Sequence, residues 1–181
     1  MGYHTGAPMP SQTKVVSFTE MESSIGRLVL AGEAEGERLA GLRLIWLPGG
    51  SGTFQPGVDW GRDARPFRET MRQLREYFAG RLTDFDLPLA PEGTPFQAEV
   101  WRAVAEIPYG ETRSYGDIAR AINRKDAVRA VGAANGQNPL PIVIPCHRVI
   151  GSDGRLTGYG GGLPLKKRLL ALESRQRSLL S

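Results

Sequence analysis

The sequence is poor in the side chains that most often build disulfides and metal sites. Its 181 residues include a single cysteine, Cys146, and two histidines, His4 and His147. One cysteine excludes an internal disulfide, and so few thiol and imidazole groups argue against a structural zinc site. We therefore expect no metal, no cofactor and a reducing, cytoplasmic compartment.

Long hydrophobic runs are also absent. No apolar segment approaches the roughly 20 residues that a membrane-spanning helix needs, and residues 1–14 lack the hydrophobic region of a secretion signal. We expect no membrane association. A chain of this length, 40% hydrophobic, suits one large domain or two small ones with real cores.

Positive charge is scarce in the first half and abundant in the second. Residues 1–94 carry 10 Lys and Arg against 12 Asp and Glu, a net charge of −2, whereas residues 95–181 carry 13 against 7, a net charge of +6. A basic half favours a polyanionic partner such as nucleic acid, although a basic surface without a partner would give the same balance.

The first half contains the segments with strand-forming composition. Short strands are predicted at residues 15–21, 26–31 and 38–47. A helix should begin at Pro66 and end at Gly80, burying Phe67, Met71, Leu74 and Phe78, and an extended piece should follow at Leu82–Leu89. Turn formers at Ala90–Gly93 predict a boundary between an α/β scaffold domain, residues 1–90, and a second domain, residues 91–181.

The second half contains helix start signals. Thr94, Pro95 and Gln97 predict a capping box, and Ser114 and Asp126 are candidate N-caps of two further helices. The two short helices, joined by a tight turn, predict a helix-turn-helix, with Val128 and Val131 facing the core. A last helix is predicted from Pro164 to Glu173, with Lys166 in solvent or near phosphate and a disordered tail after Ser174.

The helix predicted at residues 127–135 is narrow. Ala130 and other small residues dominate it, and Arg129 is its one long polar side chain. A smooth helix suits close approach to a narrow groove of DNA, with Arg129 as a single probe. Tight packing against another helix would explain the same composition.

Cys146 is the first candidate for chemistry because His147 is its neighbour in the chain. A thiol is a useful nucleophile as thiolate, and imidazole or a cation commonly lowers its pKa. Pro141 and Pro145 enclose an apolar run, which we predict to be a rigid, buried, extended segment. The alternative is that Cys146 is a small buried hydrophobic residue.

Two further features support the hypothesis that Cys146 is a nucleophile. Gly158–Gly162 has Tyr159 as its only bulky side chain, which favours a loop lining a pocket over a flexible linker. Glu173, at the predicted end of the last helix, needs a compensating partner there, and His147 would complete a Cys-His-Glu arrangement. A surface position for Glu173 is the alternative.

These residues together resemble the O6-alkylguanine-DNA alkyltransferases, in the bacterial form without an added regulatory domain. The similarity covers nearly the whole chain. It is carried by the following segments: Pro145–Val149, Arg129–Gly132, Asn138–Pro139, Ile107–Gly110, Ser114–Tyr115, the Gly158–Gly162 loop, and the weaker Ser24–Gly26 and Tyr77–Gly80. The resemblance implies an α/β (α+β) fold with a small β-rich, RNase H-like N-terminal domain and a helical, winged helix-turn-helix C-terminal domain.

The resemblance also implies an activity. Cys146 would accept the alkyl group from O6-alkylguanine, irreversibly and once per chain. O4-alkylthymine is a second candidate substrate. His147 would take the thiol proton through a water, and Glu173 would orient His147. Asn138 would hold the turn at the site, and Tyr115 would donate a proton or hydrogen bond to the departing guanine.

The implied partner is double-stranded DNA containing alkylated bases, bound through the minor groove by a monomer, alone or cooperatively. Arg129 would replace the flipped nucleotide in the base stack. The other implied DNA contacts are Tyr115, Ser114, Ala130 and Asn135. The implied base pocket is formed by Val149, Tyr159, Gly160 and Gly161.

Two positions depart from the family pattern, and two other functions remain open. Gly160 stands where some relatives carry serine, and Asn135 where some carry a bulky apolar residue. A cysteine hydrolase using Cys146, His147 and Glu173 on a small substrate would turn over without DNA. A DNA-binding module with an inert Cys146 would bind DNA in a salt-dependent manner.

Overall fold

The N-terminal half is built on a four-stranded sheet. A computed structural model describes residues 15–49 and 54–180, with side chains described as far as residue 174. Strands β1 (Val15–Ser23), β2 (Gly26–Glu35) and β3 (Arg38–Trp46) form antiparallel hairpins, and β4 (Gly61–Arg62) joins β1 in parallel. The order β3-β2-β1-β4 leaves β3 at one edge. The three predicted strands are confirmed, and β2 continues four residues further than expected.

One helix covers this sheet. A 3-10 turn, Arg65–Phe67, leads into α1 (Arg68–Phe78), and Gly80 ends it with a φ of +77°. Phe67 and Leu74 are fully buried as predicted, together with Tyr77. The extended piece expected at Leu82–Leu89 is reduced to a single bridge between Leu89 and Leu42, so this prediction is largely wrong.

The C-terminal half begins with the predicted capping box. In α2 (Pro95–Ala105) the Thr94 hydroxyl accepts a hydrogen bond from the Gln97 amide at 3.2 Å, and the Thr94 amide donates to Gln97 Oε1 at 2.7 Å. Trp101 Nε1 donates to the carbonyl of Ala134 at 2.8 Å. This bond fixes α2 against the helix that follows the tight turn.

The predicted helix-turn-helix is present as α3 (Tyr115–Ala121) and α4 (Val128–Gly136). Ser114 caps α3, and the short strand β5 (Arg113–Ser114) pairs in parallel with β6 (Val149–Ile150), which directly follows Cys146–Arg148. Two details of α4 were predicted wrongly. Its N-cap is Ala127 and not Asp126, with no side-chain cap, and Val128 is 39% exposed while Val131 is buried.

The last helix corrects three predictions. Helix α5 spans Leu163–Leu180, so it continues through the residues expected to be disordered, and Glu173 lies inside it, not at its end. Leu165 and Leu169 are buried as expected, but Lys166 is fully buried and does not face solvent. Over the ranges that the structure describes, no helix is long and apolar enough to cross a membrane.

The capping box gives a direct test of how α2 is held. Thr94→Ala removes a hydroxyl that accepts from a helix N–H, so we expect the free energy of unfolding to fall by about 1 kcal/mol in urea titrations. Thr83→Ala is the matched control, since Thr83 is exposed and outside any helix. An equal effect of both substitutions would show that the cap does not stabilise α2.

Candidate active site

The segment that delivers Cys146 is a tight turn, where an extended segment was predicted. The Ile144 amide donates to the carbonyl of Leu140 at 2.8 Å, and Ile142 adopts a φ of +78°. A positive φ is unfavourable for a β-branched residue and persists only where the surroundings enforce it. Asn138 does so, since its Nδ2 donates to the carbonyl of Ile144 at 2.8 Å and its Oδ1 accepts from the amide of Leu140 at 3.0 Å.

Cys146 opens a 3-10 turn, Cys146–Arg148, and is 5% exposed. Burial raises the pKa of its thiol to about 11, against the opposing influence of the Asn138 side chain and the Lys166 charge. The free protein therefore holds a protonated thiol, and a base must remove that proton before sulfur can attack a carbon.

His147, the next residue in the chain, is the candidate for that base. It is fully buried, and its Nε2 lies 2.8 Å from Glu173 Oε1. Burial lowers the pKa of His147, although Glu173 works against this shift, so the ring is neutral near pH 7. With the proton on Nε2 facing the carboxylate, Nδ1 presents a lone pair, and Nδ1 is buried with no hydrogen-bond partner in the described part of the chain.

Glu173 is the centre of the hydrogen-bond network behind the site. Its carboxylate accepts from Tyr77 Oη at 2.7 Å, from the amide of Gly110 at 3.2 Å, and from Arg148 Nε and Nη2 at 2.9 and 3.0 Å, besides His147. Burial raises the pKa of Glu173, but the hydrogen bonds from His147 and Arg148 outweigh it and hold the pKa at about 2. Glu173 is therefore an anion whenever the protein is folded near neutral pH.

Sequence reasoning missed Arg148, Tyr77 and Lys166. Arg148 was noted only as a flank of Cys146, yet it is 5% exposed, and its guanidinium also donates to the carbonyl of Ile107 and lies over the ring of Tyr109. Tyr77 lies 96 residues from Glu173, and it was named only within the weaker family segment Tyr77–Gly80, without a role. Lys166 follows the buried Leu165 in α5, but its charge led us to predict a solvent-exposed side chain.

Lys166 is a buried ammonium without a carboxylate partner among the described residues. Its Nζ donates to the carbonyl of Val149 at 2.6 Å and to the carbonyl of Thr157 at 3.0 Å. Burial lowers its pKa, while the nearby Cys146 has the opposite influence. Lys166 thus links the end of the active-site turn to the glycine loop, and it contributes positive potential at the thiol.

A cavity of about 210 Å³ opens onto Cys146. The C-terminal half provides one side of it, with Asn135, Asn138, Pro139, Pro141 and the glycine loop at 158–160. The other side comes from residues 44–47 at the end of β3. The Ile45 amide donates to the carbonyl of Pro139 at 2.8 Å, so the sheet edge and the active-site turn are joined by backbone.

The predicted pocket residues divide into two groups. Tyr159 and Gly160 line the cavity, and a Cβ on Gly160 would meet no atom within 4 Å. Gly161 and Val149 do not line it, contrary to expectation: Gly161 packs against Leu165, and the Val149 carbonyl accepts from Lys166. Tyr115 is also outside the cavity wall, and its hydroxyl lies 2.9 Å from the hydroxyl of Thr157.

The predicted DNA contacts are only partly at the surface. Arg129 and Ala130 are exposed on α4, and Arg129 makes no ion pair within the described residues. The hydroxyl of Ser114 is engaged with Asp117 in the α3 cap. Asn135 corrects the prediction: it is 3% exposed and lines the cavity beside Cys146, so it does not lie on the groove-facing surface.

A buried thiol with a histidine-carboxylate pair, at a cavity beside a helix-turn-helix, defines a DNA-binding protein with a cysteine nucleophile. No cluster of three His, Cys, Asp or Glu that could hold a metal occurs in the ranges described.

Comparisons with known proteins give the family. The family model "6-O-methylguanine DNA methyltransferase, ribonuclease-like domain" matches residues 16–91, and the model "6-O-methylguanine DNA methyltransferase, DNA binding domain" matches residues 95–175. The methylated-DNA–protein-cysteine methyltransferase of Methanosarcina barkeri is 52% identical, over 84% of this chain and 94% of that protein. Its counterpart from Mycolicibacterium paratuberculosis is 50% identical, over 89% and 94%.

Solved structures of similar proteins support the same family. The crystal structure of Mycobacterium tuberculosis OGT in complex with DNA superposes with a TM-score of 0.80, at 46% identity over 88% of this chain and 94% of that one. The chain belongs to the 6-O-methylguanine DNA methyltransferase family, with an N-terminal ribonuclease-like domain and a C-terminal DNA-binding domain in an α/β fold.

The charge at Glu173 can be tested by Glu173→Gln. This change leaves the buried Arg148 guanidinium without its counter-ion, so we expect a loss of about 3–5 kcal/mol in the free energy of unfolding. Tyr77→Phe, which removes only one hydrogen bond to the same carboxylate, should cost about 1 kcal/mol. Equal losses in urea titrations of the two variants would contradict the central role of the ion pair.

The same network sets the acid limit of stability. The pKa of Glu173 is depressed in the folded state, so its contribution is present above the ordinary value of 4.5 and is lost as pH falls towards about 2. The lowered pKa of His147 acts in the same direction, because acid protonates the unfolded state first. In the Glu173→Gln variant, stability between pH 5 and pH 2 should therefore fall less steeply than in the unmodified protein.

Proposed function

We propose that this protein repairs alkylated DNA by direct reversal, transferring the alkyl group from O6 of guanine to Cys146. The observation that carries the proposal is the buried row of Cys146, His147 and Glu173 at a cavity beside the helix-turn-helix. The names of the relatives describe methyl transfer to a protein cysteine, and nothing in them favours the hydrolase alternative.

The first step is deprotonation of the thiol. The proton of Cys146 passes through a water to Nδ1 of His147, whose other nitrogen is held by Glu173. The unpartnered Nδ1 and its lowered pKa support this role, since a neutral imidazole can accept a proton. The anionic Glu173 then stabilises the imidazolium that forms.

The second step is displacement at carbon. The thiolate attacks the alkyl carbon in line with the C–O6 bond, a C–S bond forms, and the electron pair of the broken bond stays on guanine. A proton must reach that guanine to complete the exchange, and Tyr115 is the proposed donor. Its hydroxyl lies 2.9 Å from that of Thr157, so in the free protein it is held at the edge of the glycine loop.

The product of this chemistry is a thioether, which offers water no electrophilic carbonyl. Cys146 is therefore spent after one transfer, and the reaction is stoichiometric. No cofactor takes part in this route.

DNA is bound by the C-terminal half through the minor groove. Helix α4 presents the exposed Arg129 and Ala130 with small residues around them, which supports close approach of the helix backbone to the duplex. Arg129 fills the gap left by the flipped nucleotide, since the base must leave the stack for sulfur to reach its alkyl carbon. Tyr115 and Ser114, at the start of α3, contact the adjoining backbone.

The proposed function gives each half of the chain a separate role. We assign residues 1–90 to a scaffold domain and residues 91–181 to the domain that binds DNA and accepts the alkyl group. A monomer that works in the cytoplasm, where a free thiol stays reduced, fits the single cysteine.

The nucleophile is tested by intact-protein and peptide mass spectrometry after incubation with excess duplex containing O6-methylguanine. We expect a gain of one methyl group, located on Cys146 and saturating at one per chain. Cys146→Ser should gain none and should leave the duplex unrepaired. An unmodified chain with an unrepaired duplex would overturn the proposal, and methyl transfer to another residue would overturn the assignment of Cys146.

The role of Arg129 is tested by comparing duplex and single-stranded substrates. Because Arg129 replaces a flipped base only in a duplex, Arg129→Ala should lower the ratio of duplex to single-strand methyl-transfer rates by about tenfold. Arg75→Ala removes an exposed arginine from α1 in the N-terminal domain, outside the helix-turn-helix, and should keep the ratio of the unmodified protein. A ratio that does not respond to Arg129→Ala would refute this role.

A further inference from the structure

The oxygen of Glu173 that faces His147 is shared with two other donors. Oε1 lies 2.8 Å from His147 Nε2, and it also accepts from Tyr77 Oη at 2.7 Å and from Arg148 Nη2 at 3.0 Å. The bond from Tyr77 is the shortest of the three, and it reaches this oxygen from α1 in the N-terminal half. The steps proposed for alkyl transfer use His147 and Glu173 but leave Tyr77 without a role.

Tyr77 acts on this oxygen as a hydrogen-bond donor. Its side chain is fully buried, and burial, followed by the negative charge of Glu173, raises the pKa of its hydroxyl well above the ordinary value. The phenol therefore keeps its proton near neutral pH, and an ionised carboxylate can only accept. Hydrogen bonds to an ionised acceptor are among the stronger ones in proteins.

The ring of Tyr77 is held by other aromatic rings. Its centroid lies 5.4 Å from that of Phe78 and 5.5 Å from that of Phe85, both in the N-terminal half. On the other side of the domain boundary, the ring of Tyr109 lies at 6.0 Å. Because the ring is packed in this way, the direction of its hydroxyl towards Glu173 is fixed by the fold.

A donor on Oε1 weakens what that oxygen can do for the histidine. Glu173 stabilises the imidazolium form of His147 by attracting the proton on Nε2. The hydroxyl of Tyr77 engages electron density of the same oxygen, so it reduces this attraction. His147 then stays neutral to a lower pH than it would beside Glu173 without the hydroxyl, and the neutral imidazole is the form that accepts a thiol proton.

The other titratable groups around the pair act in both directions. Burial lowers the pKa of His147, and Glu173 raises it. Arg148 and Lys166 lower it further. Three more titratable side chains, whose pKa values burial raises, face the pair from the active-site turn, the end of α2 and the glycine loop: Cys146, Tyr109 and Tyr159. All three are uncharged near neutral pH, so their charge does not vary over the pH range in which the histidine works.

We propose that Tyr77 is a positioning residue for alkyl transfer, which limits how strongly Glu173 holds the proton of His147 and thereby sets the pH range in which His147 serves as the base. The inference rests on the proposed function, since that base acts on Cys146. The role gives the N-terminal domain a part in the chemistry, by way of Glu173.

Tyr77→Phe tests the role because it keeps the ring and removes the hydroxyl. The pKa of His147, measured by NMR titration of the imidazole in the free protein, should rise by roughly 0.5 to 1 pH unit, a part of what one hydrogen bond to a charged group is worth. In single-turnover methyl transfer from a duplex containing O6-methylguanine, the midpoint of the acid limb of the pH-rate profile should rise by the same amount.

The matched control is Phe85→Leu. This change loosens the packing around the ring of Tyr77 and keeps the hydroxyl that donates to Glu173. We expect a lower unfolding temperature with an unchanged pKa of His147 and an unchanged acid limb. A purely structural role of Tyr77 would instead give the same pattern in both variants.

The two proposals fail on different results. If the pKa of His147 in Tyr77→Phe is no higher than in the unmodified protein, or if Phe85→Leu raises it equally, the role of Tyr77 is refuted while alkyl transfer stands. A raised pKa with an unmoved acid limb refutes it as well, because the hydroxyl would then act on His147 without affecting the transfer. If the unmodified protein takes no methyl group from the duplex, the proposed function itself fails, whatever the NMR titration shows.

Discussion

The structure depends on one buried carboxylate. Glu173 accepts hydrogen bonds from Tyr77 in the N-terminal domain, from the backbone at Gly110, and from His147 and Arg148 beside the nucleophile. A lone buried carboxylate would be protonated or expelled, but these donors keep it charged. The same carboxylate therefore joins the two domains and fixes the tautomer of His147, so a change that alters one of these effects also alters the other.

The electrostatic state of the site follows from its burial. Desolvation keeps Cys146 protonated and His147 neutral, and it also lowers the pKa of Lys166, which the nearby Cys146 raises. The protonated thiol and the neutral histidine disfavour a thiolate at rest, whereas the positive charge of Lys166 favours one.

Much of the fold was predictable from local signals in the sequence. The capping box at Thr94 and the cap at Ser114 depend on residues three apart, and the strands β1 to β3 depend on hydrophobic residues bounded by glycine. Three residues of the candidate site, Cys146, His147 and Glu173, were predictable, because a thiol, an imidazole and a carboxylate are the groups that a cysteine nucleophile requires. The premise for Glu173 was nevertheless wrong, since it lies inside α5 and not at its end.

What the sequence could not provide were contacts between distant elements. Nothing local indicates that Tyr77 reaches Glu173 or that the end of β3 forms a wall of the cavity. The charge of Lys166 also led to a wrong prediction. Lysine is seldom buried, so a solvated side chain was expected, but Lys166 is buried. Asn135 was assigned to the DNA surface from the family resemblance, although its side chain is buried.

The cavity wall at residues 44–47 has a consequence for how members of this family can exchange parts. The N-terminal domain contains no cysteine, yet its residues 44–47 supply one side of the cavity at Cys146, and its Ile45 is joined to Pro139 by a backbone hydrogen bond. A chimera cut at the boundary between the domains would pair one parent's strand with the other parent's glycine loop. Such recombination changes the shape of the cavity without changing Cys146, His147 or Glu173, so sequence variation in the N-terminal domain also alters the space in front of the cysteine.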